Sequence, residues 1–258
     1  LSGADDKNLV IDIVTPTAVN DSLSLTENFV TSVGDVSTND TSKQGGETYT
    51  LVGANGNGDI SSTYVGIHMN ANGSYTLAPN SGTIHAITGN VVESFTYKVT
   101  DAAGNSTTAT LAVTVTPINN APVNTVPGAQ TTTEDVAKVI SGLSITDVDA
   151  ASSPITVTLA ATNGTLTVLA GTGVTITTNS SASVQLVGTV SAINTLLATA
   201  NAVTYTSPAN YNGSDTITMT TNDGGNSGSG GALTDSDTIA ITITAVNDAP
   251  EVNAATAI

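Results

Sequence analysis

The residues of this chain with the clearest capacity for chemistry are carboxylates. Asp147-Val148-Asp149 sets two acids one residue apart between two strand candidates. Such a pair on a loop can give several oxygens to one hard cation. Glu93-Ser94-Phe95-Thr96-Tyr97-Lys98-Val99-Thr100-Asp101 aligns with Asp215-Thr216-Ile217-Thr218-Met219-Thr220-Thr221-Asn222-Asp223, each an alternating strand with an acid at both ends. At ~3.3 Å per residue the two acids of each segment stand about 26 Å apart, at opposite poles of a small domain. Thr26-Glu27-Asn28 aligns in the same way with Thr133-Glu134-Asp135. Asn119-Asn120 and Asn247-Asp248 add amide and carbonyl oxygens next to Ala-Pro dipeptides. The candidate ligands are therefore Glu27, Glu93, Asn119, Asn120, Asp147, Asp149 and Asp223 for one site or two. Glu134, Asp215, Asn247 and Asp248 form half of a further site.

Composition points to the ion. The 258 residues hold 21 acids against four lysines and no arginine, a formal net charge of −17. A folded chain with so few cations repels itself unless a cation sits among its acids. Oxygen-only ligands select a hard divalent metal, and Ca2+ is the candidate. The same balance argues against nucleic acid, which needs clustered Lys and Arg, and against an anionic membrane surface. Zero cysteines exclude disulfides, thiolate metal sites and thiol catalysis. His68 and His85 have no acidic neighbour in sequence, and nothing resembles a nucleophile elbow, so no catalytic role is expected. Asn55-Gly56-Asn57-Gly58-Asp59 lacks the twelfth-position Glu of a helix-flanked calcium loop and reads as a glycine turn. Gly224–Gly231 reads as a long hairpin loop. Asp235 and Asp237 are placed before the last strand, where they would blunt an edge.

The elements that position these groups are strands. Alternation is plain in 110–116 and 238–244, and shorter candidates lie at Leu9–Val14, 49–52, 74–77, 94–100, 155–159, 165–169, 174–177, 183–187, 203–206 and 216–221. Val190, Ile193, Leu196, Leu197 and Ala200 follow helical spacing, which predicts one short helix over about 190–200 capped by Thr189 or Ser191. The six tyrosines are expected in the core or at sandwich edges. No apolar run approaches the ~20 residues of a membrane-spanning helix, and no leader opens the sequence, so the chain reads as an internal or mature fragment.

The chain also repeats. An alternating strand ends in Asn119-Asn120-Ala121-Pro122, and another ends in Asn247-Asp248-Ala249-Pro250. This predicts an all-β chain of two tandem Ig-like Greek-key sandwiches, residues 1–118 and 119–250, with the short helix in the second. Residues 1–14 are open to a reading as the last strand of a preceding repeat, and 251–258 as the start of a following repeat or a tail.

These motifs resemble the cadherin-like repeats of giant bacterial adhesins of the RTX, biofilm-associated type, which type I systems secrete. The resemblance rests on the Asn-Asp-Ala-Pro linker, Asp147-Val148-Asp149, Thr133-Glu134-Asp135 and Asn222-Asp223-Gly224-Gly225. Tyr211-Asn212-Gly213-Ser214-Asp215 in the second half and Asn72-Gly73-Ser74-Tyr75-Thr76-Leu77 in the first also carry it. The first half departs at 34–41, where Asn39-Asp40 is followed by Thr-Ser-Lys rather than an acidic run. What the resemblance implies is a bacterial, secreted or cell-surface, non-enzymatic extender, monomeric as a fragment. Ca2+ at domain junctions would stiffen it, and neighbouring repeats would be its partners, with a host or surface ligand reached through other domains. The alternative is a module that itself grips a carbohydrate or protein.

Overall fold

The computed structural model describes residues 14–150, 152–225 and 227–249. The expected strand at Leu9–Val14, but for its last residue, and the stub after Pro250 lie outside them. The chain divides into two compact units, parting between Ile118 and Asn119.

Unit 1 is a sandwich of two four-stranded sheets. One holds β1 (Asp21–Thr26), β3 (Thr48–Leu51), β7 (Val91–Thr100) and β8 (Ser106–Thr116) in the order β1-β8-β7-β3. The other holds β2 (Ser32–Asp35), β4 (Asp59–Ser61), β5 (Val65–Met69) and β6 (Ser74–Pro79) in the order β2-β6-β5-β4. Alternation does the work expected of it: Ala109, Leu111, Val113 and Val115 of β8 are buried, while the residues between them are not. They meet Ile67 and Leu77 of the facing sheet in one apolar cluster. β1 runs parallel to β8, from Asp21 opposite Leu111 to Thr26 opposite Thr116.

Unit 2 introduces β9 (Val123–Thr125), β10 (Gln130–Thr133), β11 (Lys138–Ile140), β12 (Ser144–Thr146), β13 (Pro154–Ala161), β14 (Thr165–Val168), β15 (Val174–Thr177) and β16 (Ser183–Thr189). There follow α1 (Val190–Leu197), β17 (Val203–Thr206), β18 (Gly213–Asn222) and β19 (Thr234–Thr244). One sheet runs β10-β19-β18-β13-β16-β15, a second β11-β17-β14, and β9 pairs with β12. β10 lies parallel to β19, as β1 does to β8. The helix forms where the spacing predicts it. The Thr189 hydroxyl accepts from the Ala192 N–H at 3.2 Å, and Ile193, Leu196 and Leu197 are buried. It stops short of the expected residue 200, because the chain turns through Asn201 in the left-handed region at φ 61° to enter β17.

Two sequence expectations need correction. Asp235 and Asp237 stand inside β19, opposite Thr221 and Met219, rather than before it. Asp235 holds β9 in place, its Oδ2 accepting from the Asn124 N–H at 2.7 Å. β6, β7, β8, β13, β16, β18 and β19 are also longer than the strands seen in sequence, and β1, β2, β4, β5 and β9–β12 were not among the candidates. Most of these are three to five residues long, too short for alternation to register.

Gly164 precedes β14 and faces the buried Tyr205. A Cβ there would stand 2.7 Å from the Thr206 carbonyl oxygen and would overlap the Tyr205 ring. Gly164→Ala is expected to destabilise unit 2 by about 1–3 kcal/mol, as overpacking does, read as a lowered urea midpoint at unchanged slope.

Candidate metal centre

The acids proposed from sequence divide by whether protein donors satisfy them. Asp215, in β18, is saturated. Its Oδ1 accepts from the Asn163 N–H at 3.0 Å and the Thr216 N–H at 2.7 Å, and its Oδ2 from the Gly164 N–H at 2.8 Å and the Tyr205 hydroxyl at 2.6 Å. Burial pushes its pKa up, but these four donors outweigh burial and hold it below the ordinary carboxylate range. Glu134 is buried at the exit of β10, where its N–H donates to the Thr244 carbonyl and its Oε1 accepts from the Val246 N–H at 2.6 Å. Glu27 takes the matching place in unit 1, buried just past β1 with its N–H donating to the Thr116 carbonyl. The aligned Thr-Glu pairs therefore mark one position in two sandwiches. Glu93 is half-buried and accepts from the Tyr64 N–H at 3.2 Å. Asn247 and Asp248 are exposed beyond β19, and the Asn247 amide donates to the Asp248 carbonyl at 3.4 Å.

At the other end of β18 a different arrangement gathers Asn119, Asn120, Asp147, Asp149 and Asp223. Asp223 opens the β18–β19 loop, and its Oδ1 accepts from the N–H groups of Gly225 and Leu233, each at 2.8 Å. Its Oδ2 accepts from the Asn119 amide at 2.6 Å. The second Asn119 N–H goes to the Gly231 carbonyl at 2.8 Å. Asp149 follows β12 and is 1% exposed. Its Oδ2 accepts from the Asn120 N–H at 2.9 Å, and its main-chain oxygen accepts from the Ser227 hydroxyl at 2.5 Å. Asp147 Oδ1 takes the N–H groups of Asp149 and Ala150 at 3.3 and 3.1 Å, which folds the loop back on itself. Ser227 went unnoticed in the sequence, because only the closed loop brings it to Asp149.

Two oxygens remain. Asp147 Oδ2 and Asp149 Oδ1 are buried and have no hydrogen-bond partner. Burial, and then the facing Asp149 carboxyl, raise the Asp147 pKa to about 6. Two acceptors facing each other can bond only if one takes up a proton or a cation lies between them. Among the described residues the one ion pair is His68 Nδ1 with Asp59 Oδ1 at 2.7 Å, in unit 1, so no lysine neutralises this pair. An open hollow of about 210 Å³ lined by Ala121, Val123, Thr146, Asp147 and Val148 gives access. The donors are all hard oxygens, which fits calcium and not a soft metal. Among the described residues no three acidic, histidine or cysteine side chains converge closely enough to hold an ion by themselves. An ion here would therefore need amide, main-chain or water oxygens as well.

The His68–Asp59 pair also escaped sequence reasoning. The two residues are nine apart and meet only through the β4–β5 register. The glycine turn between Asn55 and Asp59 forms as expected, with Asn55 Oδ1 accepting from the Asn57 and Asp59 N–H groups.

Residues 14–117 match the family model of the bacterial cadherin-like domain. A comparison with curated protein sequences finds no match. Similar solved structures include extracellular cadherin domains 1–4 of protocadherin gamma B7, at 14% identity and a TM-score of 0.46 over 88% of this chain and 49% of that one. Drosophila N-cadherin domains EC1–4 align at 17% identity and 0.46 over 91% and 50%, and human CDH23 EC21–23 at 12% and 0.42 over 90% and 70%. The chain thus spans about half the length of the first two. The chain is all-β in two units with one short helix in the second, and the first unit is the part that matches the bacterial cadherin-like domain. No helix among the described residues is long and apolar enough to cross a membrane.

An acid whose folded pKa lies above its unfolded value stabilises the protonated fold and loses that contribution as pH rises through the folded value. In chelator, the melting temperature of unit 2 is therefore expected to fall as pH rises from about 4 to about 6. Asp147→Asn should flatten that segment of the profile, measured by calorimetry at constant ionic strength.

Proposed function

We propose that this chain is an extender module of a large bacterial surface adhesin, non-catalytic, secreted to the cell exterior and stiffened by Ca2+. The observation that carries this reading is the Asp147–Asp149 pair, with one buried, unpartnered oxygen on each residue and no ion pair to a basic side chain among the described residues. The match of residues 14–117 to the bacterial cadherin-like domain supports the adhesion-type role. Asp147, Asp149 and Asp223 would supply carboxylate oxygens, and Asn119 and Asn120 amide or main-chain oxygens. Glu27 and Glu93 of the preceding unit are the proposed further ligands. The ion would supply the positive charge that four lysines cannot.

The stiffening follows from charge. Bare carboxylates on neighbouring repeats repel, whereas a shared dication holds both through 6–8 oxygens, with water filling the gaps. Extracellular modules hold calcium at about 10⁻⁴–10⁻³ M. At a hundred times the dissociation constant each ion adds about 2.7 kcal/mol, set against a domain stability of ~5–15 kcal/mol. Asp215 is the weakest of the proposed ligands, because four protein donors already occupy its oxygens. Neighbouring repeats of the same chain are the proposed partners.

Calcium is expected to raise the melting temperature of the chain and to change its maximum dimension in small-angle scattering, relative to chelator. Asp147→Asn with Asp149→Asn should remove most of the thermal gain. An undiminished gain in the double variant places the ion elsewhere, and identical scattering with and without calcium rules out stiffening.

A further inference from the structure

The helix does more for unit 2 than fill its core. Asn194, midway along α1, takes both main-chain hydrogen bonds of Ile145. The Ile145 N–H donates to Asn194 Oδ1 at 2.9 Å, and Asn194 Nδ2 donates to the Ile145 carbonyl at 2.7 Å. Ile145 is the middle residue of β12, which has three residues and pairs on its other side only with the equally short β9. A ladder this short is marginal by itself, and the Asn194 amide acts as its missing third strand. β12 then runs directly into Asp147, two residues from the braced Ile145.

We infer that Asn194 is a positioning residue for the Asp147–Asp149 pair, holding the loop in ligating geometry before a divalent cation arrives. This rests on the calcium reading above and extends it to a residue that touches neither acid. Fixing a binding loop in advance removes ordering cost from the binding step. Partners that orient metal ligands in this way typically account for about 10–100-fold in affinity. The two units differ in the sense this requires. Among the described residues unit 1 has no α-helix, and its loop after β2 carries Asn39-Asp40-Thr41-Ser42-Lys43 in place of an Asp-x-Asp pair.

Unit 2 also contains its own control. Asn179 braces Val168 of β14 by the same two bonds, with Val168 N–H to Oδ1 and Nδ2 to the Val168 carbonyl, each at 2.8 Å. β14 belongs to another sheet, and the acid that its entry turn supports, Asp215, lies at the opposite end of β18 from Asp147 and Asp149. Asn179 Oδ1 accepts from the Ser180 N–H as well, at 3.0 Å, so Asn179→Ala removes at least as much hydrogen bonding from the unit as Asn194→Ala, and only the latter lies next to the acids.

The test is calorimetric titration of CaCl2 into the full chain and both variants, with melting in chelator as the stability measure. Asn194→Ala is expected to weaken calcium binding about tenfold or more, while Asn179→Ala lowers stability comparably and leaves binding unchanged. Equal weakening in both variants, or an unchanged affinity in Asn194→Ala, overturns the proposal. Should Asn194→Ala not fold, Asn194→Asp keeps the shape and the bond from the Ile145 N–H but sets a carboxylate oxygen against its carbonyl; amide exchange of Asp147–Ala150 in chelator faster than in Asn179→Ala then upholds the brace, and equal rates overturn it. Absence of calcium binding by the wild-type chain would sink the functional reading alone. The brace is then judged by amide exchange of Asp147–Ala150 in chelator. Faster exchange in Asn194→Ala than in Asn179→Ala upholds it, and equal rates overturn it.

Discussion

A carboxylate taken out of water must be met by hydrogen-bond donors, by a proton or by a cation. In a chain with 21 acids and four lysines, side-chain cations are not available in number. The fold answers chiefly with backbone N–H groups. Asp101 closes the β7–β8 turn by accepting from the N–H groups of Ala103 and Asn105 and from the Asn105 amide. Asp215 is met by three N–H groups and a tyrosine hydroxyl. Asp223 organises the loop between β18 and β19 in the same manner. The supply falls short at Asp40 in unit 1 and at Asp147 and Asp149 in unit 2, where one oxygen of each stays buried without a partner, and only in unit 2 do two such acids face each other.

This distinction explains why the sequence identified the acids better than their roles. Acids at both ends of an alternating strand were visible by inspection, and Glu27 and Glu134 do occupy one structural position, each following the last residue of the strand that runs parallel to its unit's final strand. Nothing in the spacing separates Asp215 from Asp223, however. The Asn163-Gly164 turn that saturates Asp215 lies about fifty residues upstream, and its N–H groups arrive only when β14 and β18 are in place. The fold class was readable because two long hairpins, β7–β8 and β18–β19, carry ten or eleven residues per strand of alternating burial. The helix was readable because Val190, Ile193, Leu196 and Leu197 share one face. The three-residue strands were not, since they owe their conformation to neighbours rather than to their own pattern.

Both units also bury a tyrosine hydroxyl against acids. Tyr205 donates to Asp215, and Tyr97 donates to Asp21 at 2.8 Å and to the Val19 carbonyl. Burial and then these carboxylates push both phenols well above their ordinary pKa, so they act as fixed donors at any physiological pH. Here the tyrosine is part of the acid-handling machinery, a role that the sequence conceals because the acid partners lie 10 and 76 residues away. The same economy accounts for His68, whose pKa is raised by its bond to Asp59 and then by Asn70.

Rigidity cannot come from the ion alone. A cation bound at 10⁻⁴–10⁻³ M contributes only a few kcal/mol under the conditions where such modules work. If the ligands were mobile in the metal-free protein, much of that would be consumed in ordering the loop. The loop of unit 2 is instead fixed from three directions. Asp147 Oδ1 holds the N–H groups of its own turn, Ser227 holds the Asp149 carbonyl, and the Asn194 amide holds the strand that leads in. What a bound ion would then meet is a pair of acids whose repulsion is already built into the fold, so its binding energy would be directed at relieving charge rather than at shaping the chain.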